Sequence, residues 1–255
     1  LETRVALIEN GLLQEIFIER HNHRGHVGDI FYGKVVRVMP GMEAAFVDIG
    51  LEKAAFIHAS DIAAIDADGF EVRDAQPQSI QQLLREGQFI VVQVAKDAIS
   101  TKGARLTTHL TLPSRNLVYL PRSKHVGLSQ RLEDEQERQR LMEQLQHSLE
   151  RESWEECGGF IVRTAAEGVT ADEFSEDIRY LHRLWLKVNQ RIEKTKKIST
   201  VYREEPLYMR IVRDLISPQV EKIRVDSGHS QKEIKQFLQD FIPESVAKLE
   251  AYGGD

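Results

Sequence analysis

The feature that most constrains the fold is a series of short apolar runs between residues 30 and 108. The runs have the length and composition of β-strands, and they occupy residues 30–38, 44–49, 54–58, 89–96 and 104–108. Glycines and a Pro40-Gly41 pair separate or interrupt them. Several short strands at such a spacing are typical of a small β-sandwich or barrel. Residues 66–82 lack this pattern and are predicted to form a long loop with a short helical turn.

The first twenty residues contain two alternating apolar runs joined by Asn10-Gly11. Asn-Gly in this context is the strongest short-range hairpin signal, because both residues tolerate a positive φ. Residues 3–19 are therefore predicted to form a two-stranded hairpin. The polar connector after it contains three histidines, His21, His23 and His26. A solvated loop is preferred over a metal site, because no nearby carboxylate or cysteine completes the set at ligand spacing.

From residue 116 onward, helices alternate with strands. Apolar residues at helical spacing predict two long helices, at residues 133–151 and 171–194. Shorter elements are predicted at residues 116–120, 158–163, 206–217, 220–225 and 231–241. The opening hairpin and the last helix–strand–helix are each too small to stand alone. We expect them to pack together in one discontinuous domain, with the middle units as insertions into it or appendages on it and with no closing element after residue 241.

The charge balance argues against a uniformly basic nucleic-acid binder but allows a local basic face. The chain has 34 Lys and Arg against 40 Asp and Glu, a net charge of −6. Between Ala98 and Arg131 there is no acidic residue, while basic side chains are frequent. Such a segment would attract a phosphate-bearing ligand. The alternative is a solvated surface with acidic groups opposite it in space.

Cysteine usage and hydropathy indicate a cytoplasmic protein. One cysteine, Cys157, excludes an internal disulfide and a cysteine-rich zinc site within this chain. No apolar run approaches the ~18 residues of a membrane span, and the start lacks the features of a signal peptide.

Aromatic residues lie on or beside the predicted strands of the β-rich part: Phe31, Tyr32, Phe46 and Phe56. A small barrel with exposed rings and nearby cations suits single-stranded RNA, since bases stack on rings for roughly 1–3 kcal/mol each. The alternative is that these rings belong to the core, and spacing alone does not decide between the two.

Longer motifs carry a resemblance that covers nearly the whole chain. They are GKV at 33–35, PGMEAAFVDIG at 40–50, KAAFIH at 53–58, TKGARLTT at 101–108, HVGLSQR at 125–131 and GGFIVRTAAEG at 158–168. These segments resemble the RNase E/G family of single-strand-specific endoribonucleases that sense the 5′ end of RNA. The resemblance implies an α+β, multi-domain fold. In it, a split RNase H-like subdomain (1–24 and a truncated 206–255) contains an inserted S1-type OB-fold β-barrel (25–108) and an α/β 5′-sensor region (109–205).

The resemblance also assigns roles to individual residues. In the sensor, Arg163 and Thr164 would hold a 5′-monophosphate, and the backbone at Val118 would contact the terminal nucleotide. In the S1-type domain, Phe46 and Phe56 would stack bases and Lys102 would contact the RNA backbone. Ile49 departs from the ribonuclease E members of the family, which have a tyrosine there, so one possible stacking ring is lost.

No catalytic or metal-binding residue is expected within this chain. The resemblance implies that two aspartates and Mg²⁺ act in a DNase I-like domain beyond residue 255, where a Zn²⁺ link also lies. Cys157 is interpreted as a small buried residue. Asp226 lacks a partner set, since the opening hairpin offers only Glu9, Glu15 and Glu19.

The resemblance implies single-stranded RNA with a 5′-monophosphate end as the partner. It also implies a role in rRNA maturation and mRNA turnover. The full-length protein would form a homodimer or a larger homo-oligomer. A complete, non-catalytic S1-type RNA-binding protein is the alternative. The sequence beyond residue 255 would distinguish the two.

Overall fold

The structure is a computed structural model that describes residues 2–20, 24–72, 75–99, 102–154, 158–216, 219–241 and 243–253. The strands are β1 (Glu2–Glu9), β2 (Leu12–Arg20), β3 (Ile30–Met39), β4 (Ala44–Asp48), β5 (Ala55–His58), β6 (Phe89–Lys96), β7 (Arg105–Thr107), β8 (Leu112–Pro113), β9 (Leu117–Leu120), β10 (Val126–Leu128), β11 (Gly159–Val162), β12 (Ser199–Tyr202), β13 (Ile223–Val225) and β14 (Leu249–Ala251). The helices are α1 (Ile80–Leu83), α2 (Glu135–Arg151), α3 (Ala171–Lys194), α4 (Leu207–Leu215) and α5 (Gly228–Phe241).

The chain divides into two compact units. One consists of Leu1–Arg24 with Glu205–Asp255, and the other of Gly25–Glu204. Within the ranges that the structure describes, no helix is both long and apolar enough to cross a membrane.

In the first unit, β1 and β2 form the antiparallel hairpin predicted at Asn10-Gly11. Both turn residues have positive φ, 50° at Asn10 and 77° at Gly11, which confirms the basis of that prediction. Helix α4 packs against the hairpin, and Arg210 Nη2 donates to Glu19 Oε1 at 2.9 Å. The other face of the hairpin exposes apolar side chains, among them Ile8, Leu13, Ile16 and Ile18.

The expectation that the chain lacks a closing element after residue 241 is wrong. A 3-10 turn at Pro243–Lys248 leads into β14, which pairs in parallel with β13. This strand was missed because its three residues carry no alternation, and its pairing depends on a partner more than twenty residues away. Helix α5 contacts α4 and both of these strands.

The second unit contains a closed barrel in which β3, β4, β5, β7 and β6 pair in that order and β6 pairs back to β3. All five strands fall where the short apolar runs predicted them. Their inward side chains form one core, which includes Phe31, Val35, Val47, Ile57 and Leu106. Strand β12 adds to β3 as a sixth strand that was not predicted, because the segment before it is polar.

The rest of the second unit is an α/β layer in which helices α2 and α3 cover a sheet of order β10-β11-β9-β8. Helix α2 begins at an Asp134 N-cap, and α3 at a capping box formed by Thr170 and Glu173. Tyr119, Phe160 and other fully buried side chains form the core between the sheet and the helices.

Gly103→Ala is expected to destabilise the barrel. Gly103 lies just before β7, and an ideal Cβ at this position would overlap the carbonyl oxygen of Ala54, which directly precedes β5. Since backbone atoms must shift, we expect a loss of about 1–3 kcal/mol in the free energy of unfolding. Gly41→Ala is the matched control, because its Cβ would meet nothing within 4 Å. Equal urea midpoints for the two variants would contradict this packing.

Candidate nucleic-acid interface

Strand register places aromatic and cationic side chains in one row across the outside of the barrel. Successive register partners are Arg37 with Phe46, Phe46 with Phe56, Phe56 with Arg105, and Arg105 with Lys96. Register partners project to the same face of a sheet. We call these five residues the outer row. It consists of two rings flanked by cations, and it crosses all five barrel strands.

Alternation along β4 and β5 explains why the two rings point outward. The neighbours of Phe46 in sequence, Ala45 and Val47, are buried in the barrel core. Because successive side chains alternate between faces, Phe46 and Phe56 lie on the outer face, where both are half-buried. The core interpretation is correct instead for Phe31, which is 2% exposed.

Tyr32 stacks on Phe89, with ring centroids 5.2 Å apart and an interplanar angle of 11°. It also packs against the core of the α/β layer. Ile49, the position that departs from the family pattern, is 2% exposed within the barrel core.

Lys102 lies in the turn between β6 and β7 and is exposed. A pair of backbone hydrogen bonds joins Ile99 and Lys102, at 3.1 and 3.0 Å. In sequence, Lys102 lies between Lys96 and Arg105 of the outer row. Arg37 and Lys96 were not singled out from the sequence, because their place in the row depends on cross-strand register.

The acid-free segment between Ala98 and Arg131 is partly neutralised in space. Arg105 makes two hydrogen bonds to Asp61, at 2.8 and 3.0 Å, and these raise the pKa of Arg105. His109 contacts Glu71 at 3.0 Å, which raises the pKa of the imidazole. The alternative of acidic groups opposite the segment is therefore correct for these two side chains.

Burial affects one further cation of that segment, Arg122, and an aromatic ring lies near another, Lys124. Burial lowers the pKa of Arg122, with Glu71 acting in the opposite direction. Lys124 Nζ lies 4.4 Å from the ring centroid of Phe70. Both residues of this contact line a cleft of about 410 Å³.

A second candidate site lies where β11 ends. Arg163 follows the strand and is half-buried. Its Nη1 donates to the carbonyl oxygen of Ser114 at 2.6 Å and, more weakly, to that of Arg115 at 3.4 Å. Its backbone N–H donates to the carbonyl of Asn116 at 2.8 Å. The guanidinium is thus held by the turn between β8 and β9, which we call the sensor turn (residues 114–116).

The other two residues to which the resemblance assigns a sensor role lie beside Arg163. Thr164 is exposed and begins the 3-10 turn Thr164–Ala166 directly after it. Val118 lies on β9 opposite Ile161 of β11, and both are half-buried on the face away from the core. The sheet therefore brings the three residues assigned to 5′-phosphate recognition into one neighbourhood.

Asp177 of α3 lies beneath the sensor turn and was missed from the sequence. Its side chain is 3% exposed, and its Oδ2 accepts the backbone N–H of Asn116 at 2.9 Å. Burial raises the pKa of Asp177 to about 6, although hydrogen bonds from the turn and the charge of Arg115 act in the opposite direction. The available signal was an aspartate beside Ile178, within the apolar stripe of a predicted helix.

No metal site can be assigned in the part of the chain that the structure describes. Among those residues there is no group of three or more His, Cys, Asp or Glu side chains that could hold an ion. Glu19 is paired with Arg210, and Asp226 is exposed. The described residues therefore offer no ligand set that fits Mg²⁺ or Zn²⁺. His21, His23 and Cys157 lie outside the described residues.

Two family profiles match parts of this chain. The profile of the "S1 RNA binding domain" matches residues 26–104, and that of the "Ribonuclease E/G family" matches residues 111–255. The S1 assignment agrees with the closed five-stranded barrel.

Curated relatives match along the whole chain. Ribonuclease G of Haemophilus influenzae is 50% identical over 256 residues, which cover 100% of this chain and 51% of that protein. Ribonuclease G of Escherichia coli (strain K12) is 49% identical over 260 residues, covering 99% and 51%. Ribonuclease E of Nostoc sp. is 35% identical over 237 residues, covering 92% and 33%.

The chain thus spans about half the length of the ribonuclease G relatives it matches. Because the family profile covers more than half of its residues, the chain belongs to the ribonuclease E/G family.

Proposed function

We propose that this chain is the RNA-binding and 5′-end-sensing part of an endoribonuclease of the ribonuclease G type. The observation that carries the proposal is the outer row, with Phe46 opposite Phe56 and arginines on both sides. Two adjacent rings offer stacking surfaces for successive bases, and the cations can follow the phosphates. Asp61 holds the Arg105 guanidinium in a fixed orientation beside Phe56.

We propose that Arg163 and Thr164 recognise a 5′-monophosphate, with the backbone of Val118 beside the terminal nucleotide. A guanidinium can bind phosphate through parallel charge-assisted hydrogen bonds, and a neighbouring hydroxyl adds a donor. A 5′-hydroxyl would leave these donors without a charged partner. A triphosphate would bring extra charge and bulk to a site that we propose accepts one phosphate. The support is the proximity of the three residues and the hydrogen bond from Arg163 to the carbonyl of Ser114.

We propose further that residues 1–24 and 206–255 form an RNase H-like subdomain, with an S1 domain at 25–108 and a sensor region at 109–205 inserted between these two parts in the sequence. The whole protein would hydrolyse single-stranded RNA with Mg²⁺, in rRNA maturation and mRNA turnover, as a cytoplasmic homo-oligomer with a Zn²⁺ link. These steps would use residues outside this chain. A complete, non-catalytic RNA-binding protein is less favoured, because identity of about half to ribonuclease G extends through the full 255 residues.

Binding of matched single-stranded and duplex RNA tests the role of the outer row. Fluorescence anisotropy with one short sequence, alone and paired with its complement, should show tighter binding of the single strand. Bases must be unstacked to reach Phe46 and Phe56, and a duplex does not offer them. Incubation with Mg²⁺ should leave the RNA intact. Equal affinity for both forms would contradict the proposal.

Lys102→Ala should reduce the salt dependence of RNA binding. One phosphate contact on a single strand contributes a slope of about 0.7 in a plot of log affinity against log salt concentration. The variant should lose about that much slope, whatever the 5′ end. Lys235→Ala on α5 is the control, since it removes an exposed lysine of the other unit. An unchanged slope in Lys102→Ala would exclude the phosphate contact.

A further inference from the structure

A buried carboxylate lies directly beneath the turn that holds Arg163. Asp177 belongs to the face of α3 that packs on the sheet, where Phe174, Ile178 and Leu181 are fully buried. A charged side chain in such a place is expensive unless it is hydrogen-bonded. Here its Oδ2 accepts the backbone N–H of Asn116 at 2.9 Å.

Both Arg163 and Asp177 form hydrogen bonds with the sensor turn. Arg163 donates to it through Nη1, to the carbonyl of Ser114, and through its backbone N–H, to the carbonyl of Asn116. Asp177 accepts from the amide of Asn116, within the same three residues. The covalent backbone of the turn therefore links two sets of hydrogen bonds, one to the carboxylate of Asp177 and one to the guanidinium of Arg163.

Resting on the proposed function, we propose that Asp177 is a positioning residue for 5′-phosphate recognition. Its ionised carboxylate fixes the sensor turn, and the carbonyl oxygens of that turn orient the Arg163 guanidinium. Asp177 itself does not touch the RNA. The prediction is that discrimination between 5′ ends depends on the charge state of a residue beneath the site.

The protonation state of Asp177 changes within an accessible pH range. Burial raises its pKa to about 6, and the charged group that opposes this is Arg115 of the sensor turn. The other polar groups facing it are the hydroxyl of Ser114 and the amides of Asn116, which are neutral. Above that pH the carboxylate is an acceptor for the turn. Below it, one oxygen becomes a donor and the hold on the turn weakens.

The raised pKa of Asp177 also predicts the direction in which the stability of the fold changes with pH. A carboxyl whose pKa is higher in the folded than in the unfolded protein disfavours the fold once it ionises. Wild-type stability should therefore fall as pH rises from the ordinary aspartate range through about 6. Asp177→Asn removes this dependence, and it should gain stability relative to wild type over that window.

The test compares RNAs with 5′-monophosphate and 5′-hydroxyl ends on wild type, Asp177→Asn and Ser175→Ala. Ser175 is the matched control, because it is fully buried on the same helix and its hydroxyl has no hydrogen-bond partner among the described residues. Anisotropy at about pH 8 and about pH 5 brackets the change in Asp177. The 5′-phosphate also takes up a proton near pH 6, so the readout is the difference between wild type and variant.

At the higher pH, Asp177→Asn should lose about tenfold of the monophosphate preference, the effect of one hydrogen bond to a charged group. Wild type should approach the variant at the lower pH, and Ser175→Ala should follow wild type throughout. A wild-type preference that Asp177→Asn retains at both pH values would overturn this inference alone. Equal affinity of wild type for both RNAs would overturn the proposed function, and this inference with it.

Discussion

Arg163→Ala should abolish the preference for 5′-monophosphorylated RNA, with affinity for that RNA falling by about 10- to 100-fold. Hydrogen bonds to charged groups contribute about 1.5–3 kcal/mol each, and a factor of ten corresponds to about 1.4 kcal/mol. RNA with a 5′-hydroxyl lacks the group that Arg163 would bind, so its affinity should barely change. Titration of both RNAs into each protein measures the ratio directly.

Two further variants separate geometry from charge. Arg163→Lys retains the charge but loses the planar fork that contacts the carbonyls of Ser114 and Arg115, so it should recover only part of the preference. Arg183→Ala removes an exposed arginine from α3 and is the control. A full preference in Arg163→Ala would show that another group reads the 5′ end.

Phe46→Ala and Phe56→Ala should each weaken binding of all RNAs, whatever their 5′ end. A stacked base contributes about 1–3 kcal/mol, which corresponds to a loss of roughly 5- to 150-fold. The effect should be independent of the 5′ group, because the rings contact bases and not the terminal phosphate. This distinguishes the outer row from the sensor site, where only the monophosphorylated RNA should respond.

Stability measurements distinguish a loss of base stacking from a loss of folding in these variants. Both rings are half-buried on the outer face, so each alanine variant should remain folded by circular dichroism. Tyr252→Ala, which removes an exposed ring from the other unit, should leave RNA affinity unchanged. If Phe56→Ala unfolds the barrel, then the ring belongs to the core. If both phenylalanine variants bind RNA like wild type, the outer row is not the RNA surface.

Local chemistry explains the parts of the fold that the sequence predicts well. Asn10 and Gly11 both take positive φ, as the hairpin turn requires. Helix α3 has the predicted bounds, because a capping box begins it and one apolar stripe runs along it. In contrast, β12 and β14 are short, and each exists by pairing with a strand that is distant in sequence. Periodicity within such a segment does not reveal its partner.

The candidate site also contains residues that the sequence reveals and residues that only the structure reveals. Phe46, Phe56 and Arg163 could be singled out from motifs, although spacing alone does not decide whether the two rings belong to the core or to the surface. The roles of Arg37 and Lys96 depend on register across four strand pairs, which no single run of sequence specifies. Asp177 is separated from the sensor turn by about sixty residues. Its importance becomes visible only when α3 is packed against the sheet.

The measurement that tests the central claim most directly is the affinity of the 255-residue wild-type chain for three single-stranded RNAs. They share one sequence and differ only in the 5′ group, which is a monophosphate, a triphosphate or a hydroxyl. Recognition by Arg163 and Thr164 predicts the tightest binding for the monophosphate, with the other two weaker but still bound through the barrel. Equal affinity for all three would contradict the account of this chain as a 5′-end sensor.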